Sequence, residues 1–286
     1  MVVDNGSNDD SYDILKSYFG RTPHVTLKKL KKNLGFAKGN NAGIRYARTQ
    51  LGAENCFVCN SDVVFDETLF EELLASAEAG VGVISPTIYN ADYNPQPLSV
   101  NTKHPYLTIA FTWLYVLYIS LPECLFKEYL SSLHEYCVQP VFELVKILRQ
   151  LYSLIRGKIY EFISKGKRHS KSAASKGYNL KQKDSYQIQG CAFLLTSEFF
   201  QFYQQLYPKT FLYGEELNLS VYLKKAGLRG IVADTSPVIH KGKQSSKELY
   251  KSEGAKRKLI LTRNSLFQSI PLLFLSYSNI KKLYSK

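Results

Sequence analysis

Short runs of β-forming apolar residues alternate with stretches of helical period along the first hundred residues. Val2–Asp4, Val25–Lys29, Asn55–Cys59 and Val81–Ser85 read as strands, and Ser11–Tyr18, Asn40–Gln50 and Glu67–Ala79 read as the helices between them. Strand and helix in alternation predict the α/β class, a mostly parallel sheet with crossover helices on its faces. The rhythm returns with a strand at Tyr186–Thr196, helices at Ser197–Tyr207 and Glu215–Lys225, and strands at Gly230–Ala233 and Pro237–His240. A helix over Lys247–Phe267 and an apolar tail, IPLLFLSYS, follow. There is no internal repeat.

Residues 97–186 break the pattern and divide the chain into three expected parts: 1–96, a helical and basic insertion over 97–186, and 187–286. The most apolar run, Leu107–Leu121, lies between Pro105 and Pro122. As a helix it would span about 22 Å, short of the roughly 30 Å of a bilayer core, so it reads as a buried or interfacial helix. Val141, Val145, Leu148, Tyr152, Ile155 and Ile159 recur at helical spacing, with Lys146, Arg149, Arg156 and Lys158 on the other face. Such a basic amphipathic helix fits an anionic membrane surface or packs on its own domain with a solvated charged face. Residues 164–183 are polar and basic, the composition of a mobile linker.

Charge sharpens this division. The 286 residues sum to +13, yet residues 146–183 hold 11 basic groups against 1 acid, and residues 240–286 hold 11 against 2. Two basic segments thus sit on a nearly neutral body, and a basic segment attracts phosphates of nucleic acid, lipid head groups or substrate alike. Five scattered cysteines lack the density of a disulfide scaffold and the N-terminus lacks a signal-peptide pattern, so the chain reads as cytoplasmic. Cys56 and Cys59 stand three apart on an expected strand and so face opposite sides, which argues against a shared metal.

In open parallel sheets ligands gather at the carboxyl ends of strands, where Asp4 and Asp62 both fall. Each also reads as an ordinary turn residue, Asp4 as an Asx-turn before the first helix. In NLGFAKGNNAGI, glycines such as Gly35 permit close backbone approach to a ligand, though the stretch is also a plain helix start. Glu215 and Glu216 open a helix, where the dipole favours carboxylates whatever their use.

Taken in order, VVDNGSNDDS (2–11), NLGFAKGNNAGIRYA (33–47), CNSDVVFD (59–66), QGCAFLLTSEFF (189–200), FLYGEELNLSVYLKKAG (211–227), VIHKGKQSS (238–246) and TRN (262–264) resemble the nucleotide-sugar-dependent glycosyltransferases of family 2, which have the GT-A fold, and within them the rhamnosyltransferase-like enzymes of bacterial surface polysaccharides. The resemblance implies a Rossmann-like, mostly parallel sheet, with residues 1–96 as the nucleotide-sugar-binding half and 187–286 as the acceptor-binding and catalytic half. It places Asp4, Gly35, Lys38, Asn41 and Asp62 at the donor, which would be a UDP- or dTDP-linked sugar. Asn60-Ser61-Asp62 stands at the family's metal motif, so Asp62 would bind Mg²⁺ or Mn²⁺, completed by His240. YGEELNL stands at the Gly-Glu-Asp motif, making Glu216 the catalytic base and Glu215 its neighbour, with inversion at the sugar. Lys241, Lys243 and Arg263 fall where the family has groups near the diphosphate and acceptor.

The acceptor implied is a surface-polysaccharide or lipid-linked glycan, met by an enzyme peripheral to the inner face of the plasma membrane. Two departures accompany the resemblance. Glu216 replaces the usual Asp and Asn218 a second acid, and relatives carry about one more strand and helix before VDNGS, so the chain is expected to begin inside the nucleotide site and to leave an exposed edge at Val2–Asp4. These departures keep open a catalytically degenerate or truncated nucleotide-sugar-binding protein. The basic segments keep open a membrane- or nucleic-acid-binding module, the latter without any recognisable nucleic-acid motif.

Overall fold

The structure, a computed structural model, describes residues 1–96, 188–242 and 254–284, all of which fall within one compact unit. The expected insertion, its amphipathic helix at Val141–Ile163, the apolar run Leu107–Leu121 and Lys243 lie outside the described residues. Among the described residues no helix is long and apolar enough to cross a membrane.

The chain opens with β1 (Val2–Asp4), α1 (Ser11–Phe19), β2 (Leu27–Lys29), α2 (Phe36–Gln50), β3 (Cys56–Cys59), β4 (Val63–Val64), α3 (Leu69–Ala75), β5 (Val81–Ser85) and β6 (Ile88–Tyr89). It resumes with β7 (Ala192–Leu195), α4 (Ser197–Phe202), α5 (Glu215–Ala226), β8 (Arg229–Val232), β9 (Val238–His240), α6 (Gly254–Phe274) and α7 (Tyr277–Tyr284). Strand and helix alternate as the hydrophobic pattern predicts. The apolar tail differs: Ile270–Phe274 continues α6, which carries Pro271 inside it, and α7 follows.

The sheet itself is mixed. A four-stranded sheet has the order β3-β7-β5-β8, in which β7 runs antiparallel to both neighbours and β5 and β8 are parallel. β1 and β2 form a parallel pair, and β9 lies between β4, antiparallel, and β6, parallel. The expectation of a mostly parallel sheet came from the first hundred residues, which alternate strand and helix. β7 lies within the strand expected at Tyr186–Thr196, but it returns from far along the chain to run antiparallel between two early strands, so the sheet is mixed within the expected α/β class.

Both faces of the four-stranded sheet are covered, which is why its central strands read as unbroken apolar runs; β5 and β7 are buried throughout. Phe193 and Leu195 of β7 pack with Val58, Val83 and the inner faces of α2, α4 and α5, whereas Ala192 and Leu194 join Leu69 and Leu73 of α3, Ile84 and Ile231. Successive side chains thus stabilise opposite layers, each large one by about 1.5–3 kcal/mol. α2 also closes on β1, where Gly43 leaves room for Val3 and Gly39 for Asn5. Its inner side is fastened by Asn41, which donates to the Leu206 carbonyl and accepts from the Leu206 N–H, both at 2.8 Å.

Candidate active site

β1 ends on Asp4, a buried carboxylate. One oxygen accepts from the Ser7 N–H at 3.0 Å, the Asx-type turn expected of Asp-Asn-Gly-Ser, while Oδ2 is buried with no hydrogen bond within the protein. The next residue, Asn5, ties this turn to the loop before α2: it accepts from the Leu34 N–H and donates to the Gly35 carbonyl, each at 3.0 Å. Gly35 has φ +84° and lies so close to the Phe211 backbone that a side chain would not fit. The turn after β1 and the 33–35 loop are therefore one rigid ledge.

Lys38 and Asn41, expected beside them, are placed otherwise. Asn41 faces inward and both ends of its amide are used by Leu206, because position 41 lies on the helix face that covers the core. Lys38 is exposed on another flank of α2 and lines a groove with Lys28, Arg45 and Lys209.

The second group forms where β3 ends. Antiparallel pairing sets Cys59 against Ala192, and the Asn60 N–H donates to the Cys191 carbonyl at 2.8 Å, so Asn60-Ser61-Asp62 turns over the start of β7. β4 then pairs with β9, Val63 against His240, and the Lys241 N–H donates to the Asp62 carbonyl at 2.9 Å. This brings Asp62 Oδ1 within 3.4 Å of His240 Nε2, with both side chains mostly shielded from solvent. His240 Nδ1 lies 3.4 Å from Gln96 Oε1. An N–H at Nδ1 donating to that amide oxygen leaves the Nε2 lone pair facing a carboxylate. Two such donors face one another stably only across a proton or a cation, and an oxygen with an imidazole nitrogen is a donor set a divalent cation accepts. Among the described residues no group of three or more His, Cys, Asp or Glu gathers, so the protein would contribute two ligands here.

The third group opens α5. Tyr213 and Gly214 both take left-handed backbone, φ 76° and 87°, which turns the chain sharply into the helix. A non-glycine residue held there is strained, the kind of cost found beside functional groups. Glu215 and Glu216 fill the first turn. Burial pushes the Glu216 carboxyl above the usual carboxylate range, opposed by its own N–H and that of Gly190. Burial, and then the neighbouring Glu216, push Glu215 up to about 7. A helix N-terminus favours a carboxylate by about 0.3–1 kcal/mol, whereas a shift from 4.5 to about 7 corresponds to roughly 3 kcal/mol. Desolvation wins.

Gly190 lies against Glu216 so closely that a Cβ there would overlap the carboxylate oxygen Oε1. Behind the pair, Phe36, Ala37 and Tyr207 help enclose a cavity of about 10 Å³ that also meets Asn218, only 1% exposed. Both amide atoms of Asn218, and Oε1 of Glu215, lack hydrogen bonds within the protein. Such a space holds one water and no sugar.

The two acidic groups share one end of the β3–β7 pair. Gly190 touches Glu216, and the next residue, Cys191, receives the Asn60 N–H from the Asp62 turn. The Cys191 thiol is pushed up to about 12 by burial first, then by the charges of Glu216 and Asp62. Gln189 Nε2 donates to the Gln96 carbonyl at 3.4 Å, and Gln96 reaches His240, so a chain of contacts runs from Asp62 to Glu216. Gln96, Gln189 and Gly190 are the parts that motif reading missed; only QGC at the start of a strand hinted at them.

No curated protein matches the chain. Residues 1–133 match the family model described as Glycosyl transferase family 2, a stretch that carries Asp4, the 33–35 ledge and Asp62 and stops short of Glu216 and His240. Over those residues the chain is similar to glycosyltransferase family 2, a likeness that supports a GT-A, Rossmann-like α/β fold and glycosyl transfer as the general function.

Proposed function

We propose that the protein is an inverting glycosyltransferase that moves a hexosyl or rhamnosyl group from a UDP- or dTDP-linked donor to a surface-polysaccharide or lipid-linked glycan acceptor. One observation carries this reading: Asp62 with His240, and Glu216 against Gly190, lie at the same end of the β3–β7 pair although 154 residues separate the two acids. Asp4, with its unpartnered buried Oδ2 beside the ledge at Gly35, is the donor's nucleoside contact. Asn41 braces that ledge from inside α2, and Lys38, which opens on another flank, is not used.

Asp62 and His240 would hold Mg²⁺ or Mn²⁺. Bound there, the cation would supply neutralisation of the charge that grows on the departing diphosphate. Glu216 does the proton chemistry: its carboxylate takes the proton of the acceptor hydroxyl as that oxygen attacks the anomeric carbon opposite the leaving diphosphate, which inverts the configuration. Two N–H donors, from Gly190 and from Glu216 itself, aim the carboxylate, and burial raises its basicity. Glu215, largely a neutral acid below neutral pH, keeps a second negative charge away from the base.

The test is turnover of candidate nucleotide sugars with Mn²⁺ and acceptor, with the product's anomeric configuration read by NMR. Asp62→Ala and Glu216→Gln are each expected to lower kcat/KM by about 100-fold or more. Turnover equal to wild type in both variants removes the reading, as does retention of configuration.

A further inference from the structure

The segment that joins the ledge at Gly35 to the first turn of α5 is fastened at every residue. Thr210 is buried, and the Phe36 N–H donates to the Phe211 carbonyl at 2.8 Å. Gly35 lies against the Phe211 backbone with no room for a Cβ between them. Ser265 of α6 donates its hydroxyl to the Leu212 carbonyl at 2.6 Å. Tyr213 is held in left-handed backbone, and the Lys258 ammonium of α6 stands 5.7 Å from the centre of its ring.

Within this fixed segment one side chain is left open. Phe211 is 44% exposed, and among the described residues no aromatic ring and no cation lies against it. A single exposed apolar side chain is ordinary on a protein surface. Phe211 differs in its address: its backbone touches the ledge, and Glu215 and Glu216 follow just past the turn at Tyr213 and Gly214. A ring on an immobile backbone, with only two side-chain torsions, loses little freedom when a flat apolar surface covers it.

The other groups of the site narrow down that surface. A nucleotide-sugar donor offers a nucleoside to Asp4 and a diphosphate to the cation that Asp62 and His240 would hold. The terminal sugar of a glycan offers neither. It presents hydroxyls and, on its pyranose ring, a face of C–H groups. That face is apolar and slightly positive, which complements the negative face of an aromatic ring, and stacking removes apolar area of both from water.

We infer that Phe211 is a stacking platform for a pyranose ring, that of the acceptor in the transfer reaction proposed above. The inference rests on that reaction only in assigning the sugar to the acceptor, and sugar binding is read without turnover, so the two can fail separately.

The probes are methyl pyranosides of gluco, galacto and rhamno configuration, added to the full chain labelled with fluorophenylalanine. The fluorine NMR signal of Phe211 is the one missing from Phe211→Leu, and it is expected to move with at least one of the three. Saturation-transfer NMR on the glycoside then gives its affinity. Phe211→Ala is expected to weaken binding by about 10-fold and Phe211→Tyr to stay within about 2-fold of wild type. Glu216→Gln is expected to bind the glycoside as wild type does. In steady-state kinetics Phe211→Ala is expected to raise the acceptor KM by about 10-fold with kcat and donor KM unchanged.

A Phe211 signal that no pyranoside moves overturns the inference, as does equal affinity in Phe211→Ala and wild type. Loss in Phe211→Tyr as large as in Phe211→Ala overturns it too, since the ring face is then not what binds. UDP that moves the Phe211 signal, with donor KM raised in Phe211→Ala, overturns it in favour of a nucleobase platform. Pyranoside binding through Phe211 without transfer from any nucleotide sugar removes the transfer reading and leaves Phe211 as the platform.

Discussion

A methyl group at Gly190 would press on Glu216, and little else about the residue is special. Gly190→Ala is therefore expected to turn the proposed base, Glu216, away from its line of attack while leaving the proposed donor contacts at Asp4 and Asp62 in place. Displacement by about an ångström costs on the order of 100-fold in rate, so kcat is expected to fall by that order with donor KM nearly unchanged. Steady-state kinetics against donor concentration check this; a rise in KM with kcat intact would show that Gly190 serves binding instead. The acids themselves were singled out by the resemblance; as local patterns, Asp at a strand end and paired Glu at a helix start read equally as turn and helix-start residues. Gly190, Gln96 and Gln189 were not, since their meaning comes from neighbours 26 to 144 residues away in the chain. Asn41 shows the reverse: one residue of a glycine-bearing motif that its position on the helix turns inward, to a purely structural bond.

At the level of elements, α2 decides where the ledge at Gly35 stands. Its glycines allow it to close on β1, and Asn41 fixes its depth through both hydrogen bonds to Leu206. Asn41→Leu would leave a buried N–H and a buried carbonyl without partners, at about 1–3 kcal/mol for each group. Thermal unfolding is expected several degrees below wild type; an unchanged midpoint would mean that the 203–210 segment finds other partners. Most helices and strands themselves were read from periodicity, but their ends differ by as much as seven residues, at the close of α6. The antiparallel β7 was not legible in its direction, because strand direction follows from which strands meet, and hydrophobic pattern carries no such information. The two-residue strands β4 and β6 were missed for a simpler reason: each is too short to show a period, yet β4 is what carries Asp62 to His240.

For the molecule as a whole, Glu215 sets a pH dependence whose sign can be stated. Its folded-state pKa, about 7, lies above the ordinary value of 4.5. The folded protein therefore holds a proton that the unfolded chain releases, and stability from this group is complete below about 4.5 and declines as pH rises to about 7. Glu215→Gln removes the penalty. Its unfolding free energy is expected to exceed wild type by up to about 3 kcal/mol at pH 8 and to match it at pH 4.5. Denaturant titrations at the two pH values check both halves of that statement, and an equal gain at both would assign the effect to packing. Burial raises Glu216 in the same direction, so with Glu216 as the proposed base the acid limb of activity is expected above the ordinary carboxylate range.

The bond between Gln96 and Gln189 bears on how such a protein diversifies. Two residues 93 positions apart in the chain are held side by side by it, next to His240 and to Gly190. Holding such distant positions together depends only weakly on the length of chain between them, by about 0.6 kcal/mol per doubling. Insertions and deletions between positions 96 and 189 are thus expected to disturb this juxtaposition little, which leaves chain length there open to evolution while Gln96 stays beside His240.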